Sequence, residues 1–115
     1  MTTETIDEAA RMRRVPGIMF TGPADGRKAR IAGHSIDVWY LVGCYKDAGC
    51  DRARMPEYLE TLTEVEIDAG LRYYALYSAE IEEILERNRR LEAYVAEHGP
   101  VFSPPFPQEY LDLIK

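Results

Sequence analysis

The stretch that most constrains the fold is 37–77, which has the pattern of three short helices separated by two tight breaks. Asp37, Asp51 and Thr63 each stand where a side-chain oxygen can accept a hydrogen bond from the free amides of a first helical turn. Thr63 is followed by Glu66 at the spacing of a capping box. Three capped segments with tight breaks predict a helix-turn-helix core.

Apolar residues recur at helical spacing in all three segments. The first helix is predicted from about Val38 to Ala48, and Gly49 ends it because a residue without a β-carbon reaches the left-handed conformation cheaply. In the second helix Pro56 removes one backbone donor. The expected apolar faces are Val38, Leu41, Val42 and Tyr45, then Met55, Tyr58 and Leu59, then Val65, Ile67, Leu71, Tyr74 and Ala75.

Two short apolar runs precede the helices and predict a β-hairpin. They are 18–20 and 29–36, and the segment between them, 21–26, is dense in Gly, Pro and Asp. Alternation along the second strand places Lys28 and Arg30 on one face. That face is suited to phosphate, or it is an ordinary solvated face.

A long fourth helix is predicted from Ser78, as its cap, to about His98, where Gly99 stops it. Up to Leu85 its apolar stripe is expected to pack on the three-helix core, and beyond Leu85 it is expected to meet a second chain. Asn88 lies inside the stripe, where a polar residue can fix the register of paired helices. The stripe consists of Ile81, Ile84, Leu85, Leu91, Tyr94 and Val95.

Prolines alternate with aromatic and aliphatic residues in the last segment, 99–115. The prolines forbid a regular helix before Gln108 and favour an extended path. The apolar side chains either fold back over the domain or form a linear anchor that becomes ordered on a partner protein. The candidate partner-binding residues are Leu91, Tyr94, Val95, Phe102, Phe106, Tyr110, Leu111 and Ile114.

The net charge differs between the two halves of the chain. Residues 1–58 hold nine Lys or Arg against eight Asp or Glu, whereas residues 59–115 hold five against twelve. The split is explained either by a solvated acidic helix on a neutral core, or by a weakly basic nucleic-acid end and an acidic protein-binding end. Residues 1–14 run from acidic to basic, which suits a short helix, or they form a frayed arm.

The 115 residues are enough for one domain with a real core, and no apolar run approaches the roughly 20 residues of a membrane span. We therefore expect a cytoplasmic protein.

Cys44 and Cys50 have no second pair or nearby histidine, which favours free thiols over a metal site or a disulfide. His34 and His98 are far apart, and no convergent nucleophile, base or ligand set is recognisable. We expect no enzyme, no metal and no cofactor.

The run from Gly26 to Trp39 resembles the entry motif of the domain-of-unknown-function 433 family, a helix-turn-helix group. The resemblance covers roughly residues 15–85. It is carried further by Gly49, by Leu62 and Thr63, by the pair Tyr73 and Tyr74, and by Glu80, Ile81 and Glu82.

The resemblance implies a small trihelical domain with an N-terminal hairpin, commonly dimeric. Members are often antitoxins encoded beside PIN-like ribonuclease toxins, with operator DNA on the first half and the toxin on the second. We therefore predict a mainly α chain with a β-hairpin, a trihelical homeodomain-like core over 1–77, and a long helix with an extended C-terminal tail over 78–115. The predicted function is an antitoxin-like regulator that binds DNA, controls its own operon and neutralises a ribonuclease. The alternative is an interaction module of helix-turn-helix shape that does not bind DNA.

The first turn of the predicted third helix carries Glu64, Glu66 and Asp68, which would repel phosphate if this turn approached bases. Affinity for DNA would then come from cations around that helix and along the second strand, doubled by a dimer. These candidates are Arg27, Lys28, Arg30, His34, Lys46, Arg52, Arg54 and Arg72.

Overall fold

The computed structural model describes residues 7–23 and 26–114. These residues form six α-helices and one two-stranded antiparallel hairpin, which confirms the predicted mainly helical chain with an N-terminal hairpin. The chain divides into two compact units, Met1–Ser78 and Ala79–Lys115. None of the described helices is both long enough and apolar enough to cross a membrane. The elements are α1 (Glu8–Arg14), β1 (Ile18–Thr21), β2 (Lys28–Ile31), α2 (Val38–Asp47), a 3-10 turn (Arg52–Arg54), α3 (Met55–Tyr58), α4 (Glu64–Leu76), α5 (Ser78–His98) and α6 (Gln108–Ile114).

The hairpin of the first unit has one buried and one open face. Ile18 lies opposite Ile31 and Phe20 opposite Ala29, and all four are buried. The other face carries Lys28 and Arg30, as alternation predicts. The second strand is shorter than predicted, because the chain turns after Ile31 and returns so that the Ile31 amide donates to the Ile36 carbonyl at 2.9 Å.

Helices α2 and α4 pack on each other and on the hairpin to form the core of the first unit. Val38, Leu41 and Val42 of α2 and Ile67 and Tyr73 of α4 are completely buried. Each such side chain contributes about 1.5–3 kcal/mol by leaving water. Burial of these five side chains therefore joins α2 and α4 into one packed core.

The predicted capping box at the start of α4 is present. The Glu66 amide donates to Thr63 Oγ1 at 3.2 Å, and the Thr63 amide donates to Glu66 Oε1 at 2.8 Å. Gly49 has φ +73°, the left-handed conformation expected after α2. The cap predicted for Asp37 is wrong, because its carboxylate accepts instead from Arg30 Nε and Trp39 Nε1, both at 3.1 Å.

The middle helix of the predicted three is short. A 3-10 turn, in which the Asp51 carboxylate accepts from the Ala53 amide, leads directly into the single turn of α3. Pro56 is accommodated in the first turn of α3, where an amide has no helical partner in any case. The predicted apolar faces are wrong at Tyr58, Val65 and Ala75, which are exposed. Leu59 and Ile67 supply the buried side chains beside Tyr58 and Val65.

The N-terminal segment forms α1 from Glu8, with the Asp7 carboxylate accepting from the Ala10 amide at 3.0 Å. Of the two alternatives for the N-terminal segment, the helix is therefore correct for residues 8–14. The prediction also covers residues 1–6, which lie outside the described part of the chain.

The second unit consists of α5 and α6 joined by the proline-rich segment. Helix α5 begins directly after the end of α4, so that Ser78 is its first residue, and Gly99 with φ +81° follows its end. The prediction of an extended C-terminal tail is wrong for Gln108–Ile114, which is helical. A helix can form there because no proline follows Pro107. Tyr110 of α6 packs against Tyr94 of α5 with ring centroids 6.0 Å apart.

Candidate nucleic-acid and partner interfaces

The cations in β2 and immediately before it differ in how much of their charge is available to a ligand. Arg27 donates to both carboxylate oxygens of Glu8, at 2.7 and 3.0 Å, and also to the Phe20 carbonyl at 2.8 Å. The bond to Glu8 raises the pKa of Arg27. Arg30 is bonded to Asp37 at 3.1 Å. Lys28 is exposed and has no ion pair within 7–23 and 26–114. Of these three cations, Lys28 therefore has the charge most open to a ligand.

His34 connects the loop after the hairpin to the first turn of α4. Its Nε2 lies 2.8 Å from Glu66 Oε2, while the other oxygen of Glu66 belongs to the capping box. The backbone amide of Thr63, and then His34, lower the pKa of Glu66. Both side chains are about one quarter exposed. The contact therefore joins the loop to α4 and can still be reached from solvent.

The cations around the start of α4 are also matched by carboxylates. Arg52 donates to Asp68 at 2.6 Å and lies 3.8 Å from Glu64. This hydrogen bond lowers the pKa of Asp68. Arg54 lies 3.7 Å from Glu57. These pairs partly neutralise the carboxylates that are expected to repel DNA. They also partly neutralise the arginines that are expected to attract it.

Lys46 lies in the last turn of α2 and is exposed, and Arg72 is exposed on α4, where its charge also helps to lower the pKa of Asp68. The eight candidate cations are distributed over the residue before β2, β2 itself, the following loop, α2, the 3-10 turn and α4 of one unit. At least five of the eight lie within 4 Å of a carboxylate, which limits the net positive charge of the surface.

The arginines of α1 lie outside the predicted interfaces and contact two tyrosines, Tyr73 and Tyr77. Arg11 donates to the Tyr73 hydroxyl at 2.6 Å, and its guanidinium carbon lies 3.9 Å from the centre of the Tyr77 ring. Arg14 donates to the Tyr77 hydroxyl at 3.1 Å. These contacts fix α1 against the end of α4. The basic last turn of α1 is the sequence signal, but its aromatic partners lie more than sixty positions away.

The candidate partner-binding residues fall into two groups. Tyr94 is 7% exposed and Leu91, Val95, Tyr110 and Leu111 are half-buried, so these side chains mostly pack within the fold. Phe102, Phe106 and Ile114 are exposed by 88%, 43% and 49%. Phe102 and Phe106, in the proline-rich segment, are therefore the most accessible large aromatic side chains of this group.

In the described part of the chain, no cluster of three or more His, Cys, Asp or Glu side chains is arranged to hold a metal. Cys44 is buried, Cys50 is exposed, and both are free thiols. Burial raises the pKa of Cys44. Cys50 is therefore the more accessible of the two thiols.

Comparison of the chain with protein-family models, with curated proteins and with solved structures finds no match.

Proposed function

We propose that this chain is an antitoxin-like regulator of helix-turn-helix type. Its second unit binds and neutralises a basic ribonuclease of the PIN-like class, and its first unit binds operator DNA as part of a homodimer. The observation that carries the proposal is the exposure of Phe102 and Phe106 on a proline-rich segment of an acidic unit.

The proline-rich segment has the properties of a linear anchor. Phe102 and Phe106 lie between α5 and α6, and burial of each ring by a partner would contribute about 1.5–3 kcal/mol. Pro100, Pro104 and Pro107 restrict the backbone of this segment before binding, which lowers the conformational entropy lost on association. Aromatic anchors of this kind supply much of the affinity in protein interfaces.

The charge of the second unit fits a basic partner. Residues 79–115 hold eight Asp or Glu against four Lys or Arg. A ribonuclease must attract a polyanion and therefore presents cations around its active site. An acidic surface is attracted to such cations, which accelerates association and competes with RNA for the same surface.

Co-purification tests the protein-binding half of the proposal. The tagged chain, co-expressed with the product of the reading frame beside its gene, is expected to retain that product, and the Phe102→Ala/Phe106→Ala variant is expected to lose it. Val65→Ala/Leu76→Ala is the matched control, because it removes two exposed apolar side chains from α4 instead. Equal retention by both variants would refute a role for the aromatic segment.

The DNA-binding half depends on Lys28 and Arg72, two candidate cations that are exposed and take part in none of the five ion pairs described above. Few phosphate contacts per chain give weak binding, which a homodimer doubles. A mobility-shift assay at low salt on the DNA upstream of the gene is expected to show a complex that Lys28→Gln/Arg72→Gln weakens. Arg89→Gln on α5 is the control, and light scattering measures the dimer.

A second candidate function is an interaction module without DNA binding, and the five internal ion pairs favour it. Arg27, Arg30 and Arg52 each donate a hydrogen bond to a carboxylate at 3.1 Å or less, so their charge is already balanced. This candidate predicts co-purification of the partner protein together with no mobility shift at any salt concentration. The two assays therefore separate the candidates.

A further inference from the structure

A groove lies between α5 and α6 within the second unit. From α5 it is lined by Arg90, Ala93, Tyr94 and Glu97, which share one helical face, and from α6 by Glu109, Asp112 and Leu113, which also share one face. Three of the seven lining residues are acidic, so the groove favours a positively charged ligand.

The Tyr94 side chain is the unusual feature of this groove. It is 93% buried, and its ring is stacked on His98 with centroids 4.2 Å apart and inclined to Tyr110. Its hydroxyl has no hydrogen-bond partner in the described residues, yet the oxygen is not sealed from solvent. A largely buried tyrosine normally satisfies its hydroxyl, so this oxygen is an acceptor available to a ligand in the groove.

The carboxylates of the groove differ in availability. Asp112 accepts a hydrogen bond from Gln108 Nε2 at 2.9 Å. Glu97 and Glu109 form no ion pair within the part of the chain that the structure describes. Arg90 also lines the groove, and it faces Glu86 one turn earlier at 3.9 Å. The groove thus combines two available carboxylates with one neutral acceptor.

We propose that this groove binds the guanidinium of one arginine side chain presented by the partner protein. The carboxylates of Glu97 and Glu109 and the hydroxyl of Tyr94 are the acceptors. The inference rests on the proposed function, since the arginine belongs to the basic protein that the second unit is proposed to bind. Arginine fits better than lysine because its planar group carries five donors and can address several acceptors at once.

A nuclear magnetic resonance titration of the full chain tests this assignment without the partner protein. The probe is Nα-acetyl-arginine N-methylamide at low salt, and the uncharged comparator is the corresponding norleucine compound. The arginine compound is expected to shift the Tyr94 and Tyr110 ring signals in a saturable way, with a Kd on the order of 1 mM. Equal shifts with norleucine, or none with arginine, would overturn the proposal.

Variants identify the acceptors in the same titration. Glu97→Gln/Glu109→Gln is expected to weaken binding by about tenfold. Tyr94→Phe keeps the ring and is expected to weaken binding by about threefold, followed through the Tyr110 signals. Glu92→Gln removes an exposed charge of α5 outside the groove and is expected to change the affinity little. An equal loss with Glu92→Gln would show that only overall charge matters and would refute the site.

Failure of this inference can be distinguished from failure of the proposed function. If the arginine compound binds but no adjacent gene product co-purifies, the groove stands and the proposed function fails. If the product co-purifies equally well with the Glu97→Gln/Glu109→Gln variant, the proposed function stands and the arginine site is wrong.

Discussion

Replacement of Gly70 by alanine tests the packing of α2 on α4, on which the first unit depends. A Cβ at position 70 would lie 2.6 and 3.0 Å from the two Cδ atoms of Leu41, and 3.3 Å from Cδ1 of Ile31. Carbon atoms in contact are normally about 3.5–4.0 Å apart. Leu41 and Ile31 are both completely buried, so neither side chain can move into solvent to relieve the overlap.

Two effects of opposite sign decide the outcome. Alanine is about 1 kcal/mol better than glycine inside a helix, and overpacking of a filled core costs about 1–3 kcal/mol. We therefore expect Gly70→Ala to lower the free energy of unfolding by up to about 2 kcal/mol. Urea unfolding followed by circular dichroism measures the change.

A control and a double variant isolate the overlap. Ala75→Gly, at an exposed position of the same helix, is expected to cost about 1 kcal/mol through helix propensity alone. In a Leu41→Val background, which lacks both Cδ atoms, Gly70→Ala is expected to be neutral or stabilising. Stabilisation by Gly70→Ala in the original background would refute the close approach of α2 and α4.

Three further predictions concern caps, acid stability and thiols. Thr63→Ala removes one half of the capping box and is expected to lower the free energy of unfolding by about 1 kcal/mol in urea titration. The pKa of Glu66 is lowered on folding, so its contribution to stability is complete above the ordinary glutamate pKa and is lost as the pH falls through the lowered value. Glu66→Gln is expected to reduce that acid-side loss, and an unchanged pH profile of the unfolding midpoint would contradict this. Cys50 is expected to react quickly with a chromogenic aromatic disulfide, and Cys44 only after unfolding, because Cys44 is buried.

Local signals in the sequence were sufficient where the interacting residues are close along the chain. The capping box needs only Thr63 and Glu66, three positions apart, and the left-handed turn after α2 needs only Gly49. The hairpin faces follow from simple alternation. The C-terminal helix begins at Gln108, the first position after the last proline, where the sequence predicts an extended tail.

Contacts between distant residues could not be predicted from the same signals. Asp37 is positioned to cap α2, but the strand brings Arg30 to its carboxylate and that pairing replaces the cap. Arg27 is a predicted phosphate contact, but the fold brings Glu8 of α1 to its guanidinium and balances its charge. Val65 fits the apolar period of α4, yet packing on the hairpin selects the side centred on Ile67. The candidate cations were therefore identified by type, while their availability is a property of the tertiary structure.

Inhibition of a ribonuclease is the most direct test of the proposed function. The measurement is the rate of RNA cleavage by the purified product of the adjacent reading frame, with increasing amounts of this chain. The proposed function predicts that cleavage stops near equimolar ratio, and that the Phe102→Ala/Phe106→Ala variant requires a large excess. Cleavage that continues unchanged at saturating concentrations of the original chain would contradict the proposed function.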